Sequence, residues 1–356
     1  MNLVVVGPSI KMGGIERSSS TLANTFSEKG FKITFIALFP QEHFYNLNSN
    51  IDFIEPSGNL NSRKLNLLRT QIWIRQLIKS INPDAILVFN YFYGAIVCLA
   101  VVGLKIDVFV SDRASPDFKW PWHISIYNNM VFSVLAPMGL IAQTEVAAAR
   151  QRKFFGKRSR IKVIPNPVRE VQVYPETIRE RQILAVGRLS DILKGFDQLL
   201  EAYARIRNKE WMLVFAGGDG DGSNIQDHAI SLGIGNRIRF LGKVRELDPI
   251  LAQSGIFVIP SISEGFPNAL CEAMAAGLPC ISFDFVAGPR EIITHGHDGL
   301  IVENGNIENL ARTIDYLTSD PEERRRLGSN ATKIRERLNR GKIADEYLAF
   351  IFGKNE

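Results

Sequence analysis

Short hydrophobic runs alternate with longer amphipathic stretches along the whole chain. The runs are LVVVG, KITFIAL, AILVF, DVFVS, GLIAQ and IKVIP in the first half, and QILAVG, WMLVFAG, RIRFLG, IFVIPS, PCISF and GLIV in the second. Continuous apolar runs of this length are typical of strands in a parallel sheet that helices cover on both faces. The pattern therefore predicts two doubly wound α/β domains with Rossmann-like sheets.

Chain length and a proline-rich stretch predict where the domains divide. The chain has 356 residues, and a single core usually stops growing at roughly 250–300 residues. The stretch IPNPVREVQVYPETIRERQ contains three prolines that interrupt the strand and helix pattern, which places a linker near residues 166–181. We predict one domain over residues 1–168, a second over 169–337, and a last helix at 338–356 that packs back onto the first.

Composition indicates an ordinary folded protein. The chain is 46% hydrophobic and 22% charged, and its three cysteines fit neither a disulfide framework nor a zinc site, as expected in a reducing cytosol. The first residues, MNLVVVGPSIKMGG, lack the basic region of a signal peptide. The longest apolar segments, AIVCLAVVGL and MVFSVLAPMGLIA, are shorter than the roughly 18 residues that span a bilayer, so we predict no transmembrane helix.

Charge is distributed unevenly between the two halves. Residues 1–165 contain 19 Lys and Arg against 10 Asp and Glu, whereas the remainder contains 23 against 27. No acidic residue occurs between Glu55 and Asp84, where five basic residues lie, or between Glu145 and Glu170, where eight lie. Such clusters attract the phosphates of anionic lipid or nucleic acid. A solvated basic surface without function is the alternative interpretation.

An aromatic segment lies between the two basic clusters. The sequence FKWPWHISIYNNMVF contains Phe118, Trp120 and Trp122, which are side chains of a kind found at membrane interfaces. Tryptophan is mostly buried in folded proteins, so we favour core packing or a ligand pocket over membrane contact for this segment.

The turn after the first strand carries a pair of glycines. In GPSIKMGGIERSSSTLANTF, Gly7 is followed by Gly13 and Gly14, a spacing that matches neither the G-x-G-x-x-G dinucleotide fingerprint nor a P-loop. What remains is a longer Gly-Gly loop that opens onto a helix, whose unpaired backbone N–H groups can bind a phosphate. A simple turn is the alternative interpretation.

Two cations follow the first strand of the second half. The stretch AVGRLSDILKG places Arg188 and Lys194 six residues apart in a loop at the carboxyl end of a strand. Open α/β sheets bind ligands at that edge, so both side chains are predicted to face a cleft between the domains. Taken alone, two exposed surface charges would be the better explanation.

Two carboxylates, Glu264 and Glu272, stand among small and apolar residues in SISEGFPNALCEAMAAGLPCIS. The pattern predicts a loop that contains Glu264 and a helix that begins at Pro267 and contains Glu272, whose side chain tilts back toward the loop. Unpaired N–H groups around Phe266 and Asn268 suit phosphate oxygens, and carboxylates accept hydrogen bonds from hydroxyl groups, so the segment predicts a nucleotide-sugar site. A charge that favours the helix dipole and a solvated helix position are the alternatives.

These segments resemble a known family. The stretches GRLSDILKG, FAGGDGDG, RIRFLGKV, IPSISEGFPNALCEAMAAGLPCIS, GPREII and HDGLIVENGNIENLA are similar, in this order, to the C-terminal domain of retaining family 4 glycosyltransferases, which have the GT-B fold. The N-terminal GPSIKMGGIERSSSTLANTFSEKGFKITFIAL is similar to the family's opening segment. The resemblance implies two doubly wound Rossmann-like domains that face a central cleft, of which the first binds the acceptor and the second the nucleotide sugar.

The resemblance implies a role for each candidate residue. Glu264 and Glu272 correspond to the family's E-x7-E pair, with Glu264 near the donor sugar and Glu272 near the ribose hydroxyls. Arg188 and Lys194 correspond to the basic pair that holds the diphosphate and neutralises its charge as it leaves, so no metal ion is expected. The resemblance places further donor contacts at Lys243 and Val244 for the base, and at Gly13, Gly14, Gly265, Phe266 and Asn268 for the phosphates.

One position departs from many members of the family. They carry a histidine at the end of the fourth N-terminal strand, where this chain reads VSDRASPD, so Asp112 or Arg113 takes that place. We treat both as candidate catalytic residues on the acceptor side. His123 is near in sequence, but a lone histidine beside two tryptophans is more often structural.

The resemblance implies transfer of a hexosyl residue from a nucleotide diphosphate sugar, with a UDP-sugar expected first, to a saccharide acceptor with retention at the anomeric carbon. The basic N-terminal half suggests a lipid-linked acceptor, peripheral contact with an anionic membrane and a cytoplasmic location, in bacterial polysaccharide, lipopolysaccharide or glycan synthesis. The alternatives are a sugar-nucleotide epimerase and a non-catalytic sugar-nucleotide-binding protein; nucleic acid is not an expected partner. These motifs do not fix the base, sugar, acceptor or linkage.

Overall fold

Alternating strands and helices build two α/β units. The computed structural model describes residues 1–40, 42–57, 66–218 and 223–353. Unit 1 comprises Met1–Pro167 together with Leu338–Glu356, and unit 2 comprises Val168–Arg337. The chain thus leaves unit 1 once and returns to it for its last helix.

The strands of unit 1 are β1 (Asn2–Gly7), β2 (Lys32–Ala37), β3 (Asp52–Ile54), β4 (Ala85–Phe89), β5 (Asp107–Ser111), β6 (Gly139–Ala142) and β7 (Arg160–Val163). Among the described residues they form one parallel sheet in the order β3-β2-β1-β4-β5-β6-β7. The order reverses between β1 and β4, and the carboxyl ends of strands at such a point flank the ligand crevice of open sheets. The hydrophobic runs predicted all of these strands except β3, whose three residues are too few for a recognisable pattern.

The helices that connect these strands are α1 (Gly14–Glu28), α2 (Leu67–Ile81), α3 (Tyr91–Ala100), α4 (Trp122–Val134) and α5 (Glu145–Phe155). The hydroxyl of Thr144 accepts a hydrogen bond from the N–H of Ala147 and so caps α5. Helices α2, α3 and α4 pack side by side, and their side chains Ile78, Ile96 and Phe132 enter the core on one face of the sheet.

The strands of unit 2 are β8 (Gln182–Val186), β9 (Met212–Ala216), β10 (Ile238–Phe240), β11 (Ile256–Ile259), β12 (Cys280–Phe283) and β13 (Leu300–Val302). In the described part of the chain they form a second parallel sheet in the order β10-β9-β8-β11-β12-β13. Here the order reverses between β8 and β11, so the residues that follow these two strands flank the crevice of unit 2.

The helices of unit 2 are α6 (Phe196–Arg205), α7 (Ser223–Ser231), α8 (Asp248–Gln253), α9 (Asn268–Ala275), α10 (Pro289–Ile292), α11 (Ile307–Ser319), α12 (Pro321–Ala331) and α13 (Ile334–Arg337). Helix α12 begins where the Asp320 carboxylate accepts hydrogen bonds from the N–H groups of Glu322 and Glu323. No helix within the described ranges has both the length and the apolar character of a membrane-spanning segment.

The last helix, α14 (Arg340–Phe352), packs against α1 in unit 1. Alternate residues of β1 enter opposite cores, as expected of a strand: Leu3 and Val5 meet α14 side chains, whereas Val4 and Val6 enter the core beneath α2, α3 and α4. The α14 side chains in the first core include Ile343, Ala344 and Tyr347, which are at most 1% exposed. Unit 1 therefore contains both the start and the end of the described chain.

Candidate functional site

The carboxyl ends of β8 and β11 bring two predicted residues together. The Lys194 Nζ lies 2.6 Å from Glu264 Oε1, and the Ser261 hydroxyl donates to the same oxygen at 2.8 Å. The lysine side chain is 22% exposed and the glutamate side chain 14%, so water screens this charge-assisted hydrogen bond only in part. Because both donors use Oε1, the Glu264 Oε2 has no partner among the described residues and can accept from a hydroxyl group.

A glycine makes this pairing possible. Gly195 has a φ of +65°, and a Cβ at this position would lie 2.0 Å from the carbonyl oxygen of Pro260. The two loops are also joined by a hydrogen bond of 2.8 Å from the Ile262 N–H to the Leu193 carbonyl. Only glycine permits both the left-handed backbone and the close approach, so it brings the loops within reach of the ion pair.

Arg188 lies on the same loop as Lys194 and has a separate partner. Its Nη2 donates to Asp191 Oδ2 at 3.0 Å, and its side chain is 63% exposed. Asp191 also accepts from the N–H of Leu193 and thereby caps the short 3₁₀ turn that carries Lys194. Exposed ion pairs contribute only about 0–1 kcal/mol, so Arg188 can exchange Asp191 for an anionic ligand at little cost.

The second glutamate of the predicted pair is buried. Glu272 lies on α9 and is 2% exposed, and Arg169 Nε donates to its Oε2 at 3.1 Å. Arg169 also pairs with Asp248, whose other carboxylate oxygen accepts from the N–H of Gln172. The interpretation of Glu272 as a solvated helix position is therefore wrong. Sequence reasoning missed Arg169 and Asp248 because 103 residues separate Arg169 from Glu272 and 79 separate it from Asp248.

The other predicted donor positions lie on neighbouring loops of unit 2. A Cβ on Gly218 would lie 3.1 Å from the backbone nitrogen of Lys243, so the loop after β9 lies against the loop that carries Lys243 and Val244. The motif FAGGDGDG that supported this part of the site extends into residues 219–222, which are outside the described residues.

The start of α9 differs from its prediction in detail. The helix begins at Asn268 rather than Pro267, and the Asn268 N–H donates to the Phe266 carbonyl at 3.0 Å. The expectation of an unpaired donor at Asn268 is therefore wrong. The N–H groups of Gly265 and Phe266 make no hydrogen bond to a described residue, so they remain the candidates for contact with phosphate.

In unit 1 the glycine pair opens α1, with Gly13 as its N-cap residue. A Cβ on Gly13 would lie 2.2 Å from Glu16 Oε2, because the carboxylate of Glu16 folds back over the helix start. Glu16 is 7% exposed, and the Ser9 hydroxyl lies 3.4 Å from its other oxygen. The N-terminus of α1 therefore already has an anionic group beside it, which sequence reasoning missed and with which an incoming phosphate would compete.

Asp112 and Arg113 follow β5 and have different surroundings. The Asp112 Oδ1 accepts from the N–H of Ala114 at 3.3 Å, and burial raises the pKa of this carboxyl to about 6. The Arg113 Nη2 donates to the Tyr347 hydroxyl at 2.8 Å, its guanidinium lies 4.8 Å from the centre of the Phe89 ring, and burial lowers its pKa. Asp112 is thus the one that can exchange a proton near neutral pH, whereas Arg113 joins β5 to α14.

These features first define a class. Two open parallel sheets, each with a reversal in strand order and with candidate ligand-binding residues at its strand ends, are typical of two-unit α/β proteins that bind phosphorylated ligands. Two family models then match adjacent parts of the chain, Glycosyltransferase Family 4 over residues 12–171 and Glycosyl transferases group 1 over residues 170–334. Together the two models cover residues 12–334 and identify the chain as a glycosyltransferase, as the resemblance predicted, whereas retention at the anomeric carbon stays a prediction.

Known proteins resemble the chain over nearly its whole length. An uncharacterised glycosyltransferase of Haemophilus influenzae is 25% identical over 345 residues, which are 95% of this chain and 96% of the relative. A Campylobacter jejuni relative, 22% identical over 99% of this chain and 98% of its own length, is the α-1,4-N-acetyl-D-galactosaminyltransferase for GalNAc-α-(1→4)-GalNAc-α-(1→3)-diNAcBac-PP-undecaprenol. The structure of Anabaena Alr3699/HepE in complex with UDP superposes with a TM-score of 0.80 at 16% identity and covers 98% of this chain and 99% of its own, which confirms the predicted GT-B fold.

Proposed function

We propose that this glycosyltransferase moves a hexosyl residue from a UDP-sugar to a saccharide hydroxyl with retention at the anomeric carbon. The observation that carries the proposal is the pair formed by Lys194 and Glu264, 2.6 Å apart at the strand ends where the order of the unit 2 sheet reverses. The pair places a cation beside a carboxylate. The cation suits the diphosphate of a nucleotide sugar, and the carboxylate can accept a hydrogen bond from a hydroxyl group of its sugar. The UDP bound in the Alr3699/HepE structure supports the choice of nucleotide.

Each candidate side chain of unit 2 has a part in donor binding. Lys194 and Arg188 neutralise the charge that develops on the departing diphosphate, and Glu264 accepts a hydrogen bond from a hydroxyl of the sugar. Glu272 accepts from the ribose hydroxyls while Arg169 holds its carboxylate in place. Because the two cations supply the positive charge, the reaction proceeds without a divalent metal.

The transfer step needs no covalent intermediate with the enzyme. The acceptor oxygen bonds to the anomeric carbon as the bond from that carbon to the diphosphate oxygen breaks on the same face. The proton of the acceptor hydroxyl passes to the departing phosphate, which leaves as UDP. Asp112 accepts a hydrogen bond from the acceptor hydroxyl and orients it, in the place where many relatives carry histidine.

The acceptor is proposed to be a lipid-linked saccharide of bacterial surface glycan synthesis. The undecaprenyl-linked saccharide in the name of the Campylobacter jejuni relative supports this choice, as does the excess of basic residues over residues 1–165. Such an acceptor carries phosphate groups of its own, which a basic surface attracts.

The test combines donor binding with transfer. In buffer with a chelator, calorimetry with UDP, GDP and ADP identifies the base, and Lys194→Ala is expected to weaken UDP binding while Lys209→Ala, an exposed lysine of unit 2, is not. Transfer is then followed with UDP-hexoses and undecaprenyl-linked saccharides, and the proton coupling at the new anomeric carbon reports the configuration. Binding without transfer would favour the non-catalytic alternative, conversion of the donor to its epimer would favour the epimerase, and an inverted linkage would contradict the proposal.

A further inference from the structure

Helix α4 exposes an apolar ridge, formed by Trp122, Ile126, Met130 and Val134, which are 75%, 50%, 68% and 81% exposed. Residues four apart are neighbours on one side of a helix, and at about 1.5 Å per residue the ridge is roughly 18 Å long. The opposite side of α4 is also apolar, since Val131 and Phe132 enter the core. The favoured prediction for this segment was core packing or a ligand pocket, and for Trp122 core packing is wrong. A helix that has apolar side chains on two sides, of which only one is covered, indicates a partner for the other.

Cations lie beside one end of this ridge, although α4 has no charged residue of its own. At the C-terminal end of α4, the Arg158 Nη1 donates to the carbonyls of Phe132 and Ser133 at 2.7 and 3.0 Å. Lys157 precedes Arg158 in the same 3₁₀ turn, and Lys153 lies one turn earlier at the end of α5. The end of the ridge therefore lies beside a group of positive charges.

Helix α2 widens the surface on the other side. The Gln71 Nε2 donates to the Tyr127 hydroxyl at 2.8 Å, which joins α2 to α4. Helix α2 exposes two apolar side chains, Leu68 at 67% and Ile72 at 50%, and carries Arg69, Arg75 and Lys79 without any acidic residue. Proteins that lie in a membrane interface typically combine exposed apolar side chains, Trp among them, with Lys and Arg.

We propose that the ridge of α4 is a membrane-docking surface, which inserts at the level of the lipid headgroups while the neighbouring Lys and Arg contact anionic phosphates. The charges near the ridge indicate whether its partner is a bilayer or a second copy of the chain. A symmetric contact between two ridges would bring the cations beside Arg158 and on α2 toward like charges, which is unfavourable, whereas anionic headgroups are complementary to them. The proposal does not depend on the donor or acceptor specificity of the enzyme.

The test measures binding of the full chain to vesicles of phosphatidylcholine with and without phosphatidylglycerol. We expect binding to the anionic vesicles that weakens with salt, and a loss of about tenfold in partition for Trp122→Ser combined with Met130→Ser. The matched control is Ile178→Ser combined with Ile230→Ser in unit 2, where the replaced side chains are 88% and 68% exposed, and it should partition like the wild type. Calorimetry with UDP should give equal affinity for all three proteins, so a loss of partition is separate from a loss of donor binding.

A second measurement locates the contact. Brominated lipids quench the fluorescence of a tryptophan that inserts among them, and this quenching should be lost in Trp122→Phe, whose partition persists because phenylalanine is also apolar. Failure of the wild type to bind anionic vesicles would overturn the proposal, as would equal partition of the ridge variant and the wild type. A dimer in light scattering that the ridge variant abolishes, without vesicle binding, would assign the surface to a second copy instead.

Discussion

The two units hold charged side chains at their strand ends in different ways. In unit 2, Lys194 pairs with Glu264 and Arg169 pairs with Glu272, so that opposite charges meet. In unit 1, Arg113 donates to a phenol and lies over an aromatic ring, and Asp112 accepts from the backbone N–H of Ala114. Ion pairs thus dominate at the strand ends of unit 2, whereas the hydrogen-bond partners at the strand ends of unit 1 are neutral.

The difference decides what each site can do. In unit 1 burial is the largest influence on both groups: it raises the pKa of Asp112 to about 6 against the opposing charges of Arg113 and Arg150, and it lowers the pKa of Arg113. A carboxyl with such a pKa can gain or lose a proton near neutral pH, as acid and base chemistry requires. The paired lysine and arginines of unit 2 instead offer fixed positive charge, as binding of a diphosphate requires. The comparison teaches that burial can leave a carboxyl group able to exchange a proton near neutral pH, whereas close charge pairing keeps cations ionised.

The largest expected effect comes from removal of Arg169, the partly buried cation that pairs with the buried Glu272. Arg169→Met leaves Glu272, which is 2% exposed, without its arginine, and breaking a buried pair in this way costs about 3–5 kcal/mol of unfolding free energy. Denaturant unfolding measures this loss. The control is Arg188→Met, whose 63% exposed side chain should cost no more than about 1 kcal/mol.

A double variant sharpens this test. Combining Arg169→Met with Glu272→Gln removes both charges of the pair, so the double variant should be more stable than Arg169→Met alone. Equal losses for Arg169→Met and Arg188→Met, or no recovery in the double variant, would mean that charge pairing does not stabilise unit 2 as the comparison requires.

The next effect concerns turnover. Lys194→Ala removes the cation that lies 2.6 Å from Glu264, and loss of one group that stabilises charge in a transition state lowers kcat by about 10²–10³. Steady-state kinetics with saturating donor gives kcat and KM separately, and Lys209→Ala provides the matched control. A rise in KM with unchanged kcat would show that Lys194 binds the donor equally in the ground and transition states.

The third effect is a dependence of stability on pH in unit 1. The pKa of Asp112 is raised from 3.8 to about 6 on folding, so the folded state binds more protons than the unfolded state between these values and loses stability as pH rises through them. Asp112→Asn removes this loss. The variant should therefore be more stable than the wild type at pH 7–8, by on the order of 1–3 kcal/mol, and no longer so below about pH 4.

Transfer activity distinguishes function from stability at this position. If the ionised Asp112 orients the acceptor hydroxyl, Asp112→Asn lowers kcat above about pH 6 even though the protein is more stable there. Thermal unfolding and initial rates over the same pH series measure both quantities. Equal stability of variant and wild type at pH 8 would contradict the effect of burial, and undiminished turnover would remove Asp112 from the reaction.

The fold, and the position of three charged residues at one edge of the unit 2 sheet, were predictable from the sequence. Continuous apolar runs identify strands of a parallel sheet, and the rule that ligands bind at strand ends placed Arg188, Lys194 and Glu264 at one edge. The Lys194 and Glu264 loops follow two adjacent strands, so local motifs sufficed to bring the residues near each other. Gly195 was not recognised, because its positive φ and its contact with Pro260 depend on that packing.

The rest depended on contacts that no local pattern encodes. Arg169 belongs to no recognisable motif in the linker, and only the folded chain brings it to Glu272 and Asp248. The spacing of Trp122 and Met130 was visible in the sequence, but both sides of α4 are apolar, so the pattern could not tell which side faces the core. Similarly, the role of Arg113 depends on Tyr347, which lies 234 residues away at the other end of unit 1.

The smallest expected effect tests the neutral partner of Arg113. Tyr347→Phe removes the hydroxyl that accepts from the Arg113 Nη2 at 2.8 Å and lies 3.0 Å from the Ser111 hydroxyl. The Nε and Nη1 of Arg113 have no hydrogen-bond partner among the described residues, so the buried guanidinium would lose its hydrogen bond and keep the Phe89 ring. Loss of a hydrogen bond to a buried donor costs about 1–2 kcal/mol, measurable by denaturant unfolding.

The control for this last change is Tyr316→Phe, since Tyr316 is 48% exposed and its hydroxyl should contribute less than about 0.5 kcal/mol. If the guanidinium is the group left without a partner, Arg113→Met in the Tyr347→Phe background should cost less than Arg113→Met in the wild type. Additive losses would mean that the Tyr347 hydroxyl stabilises unit 1 through its other partner, the Ser111 hydroxyl, and that the hydrogen bond to Arg113 contributes little. Non-additive losses would thus show that the Tyr347 hydroxyl stabilises the buried Arg113 guanidinium, and additive losses would show that it does not.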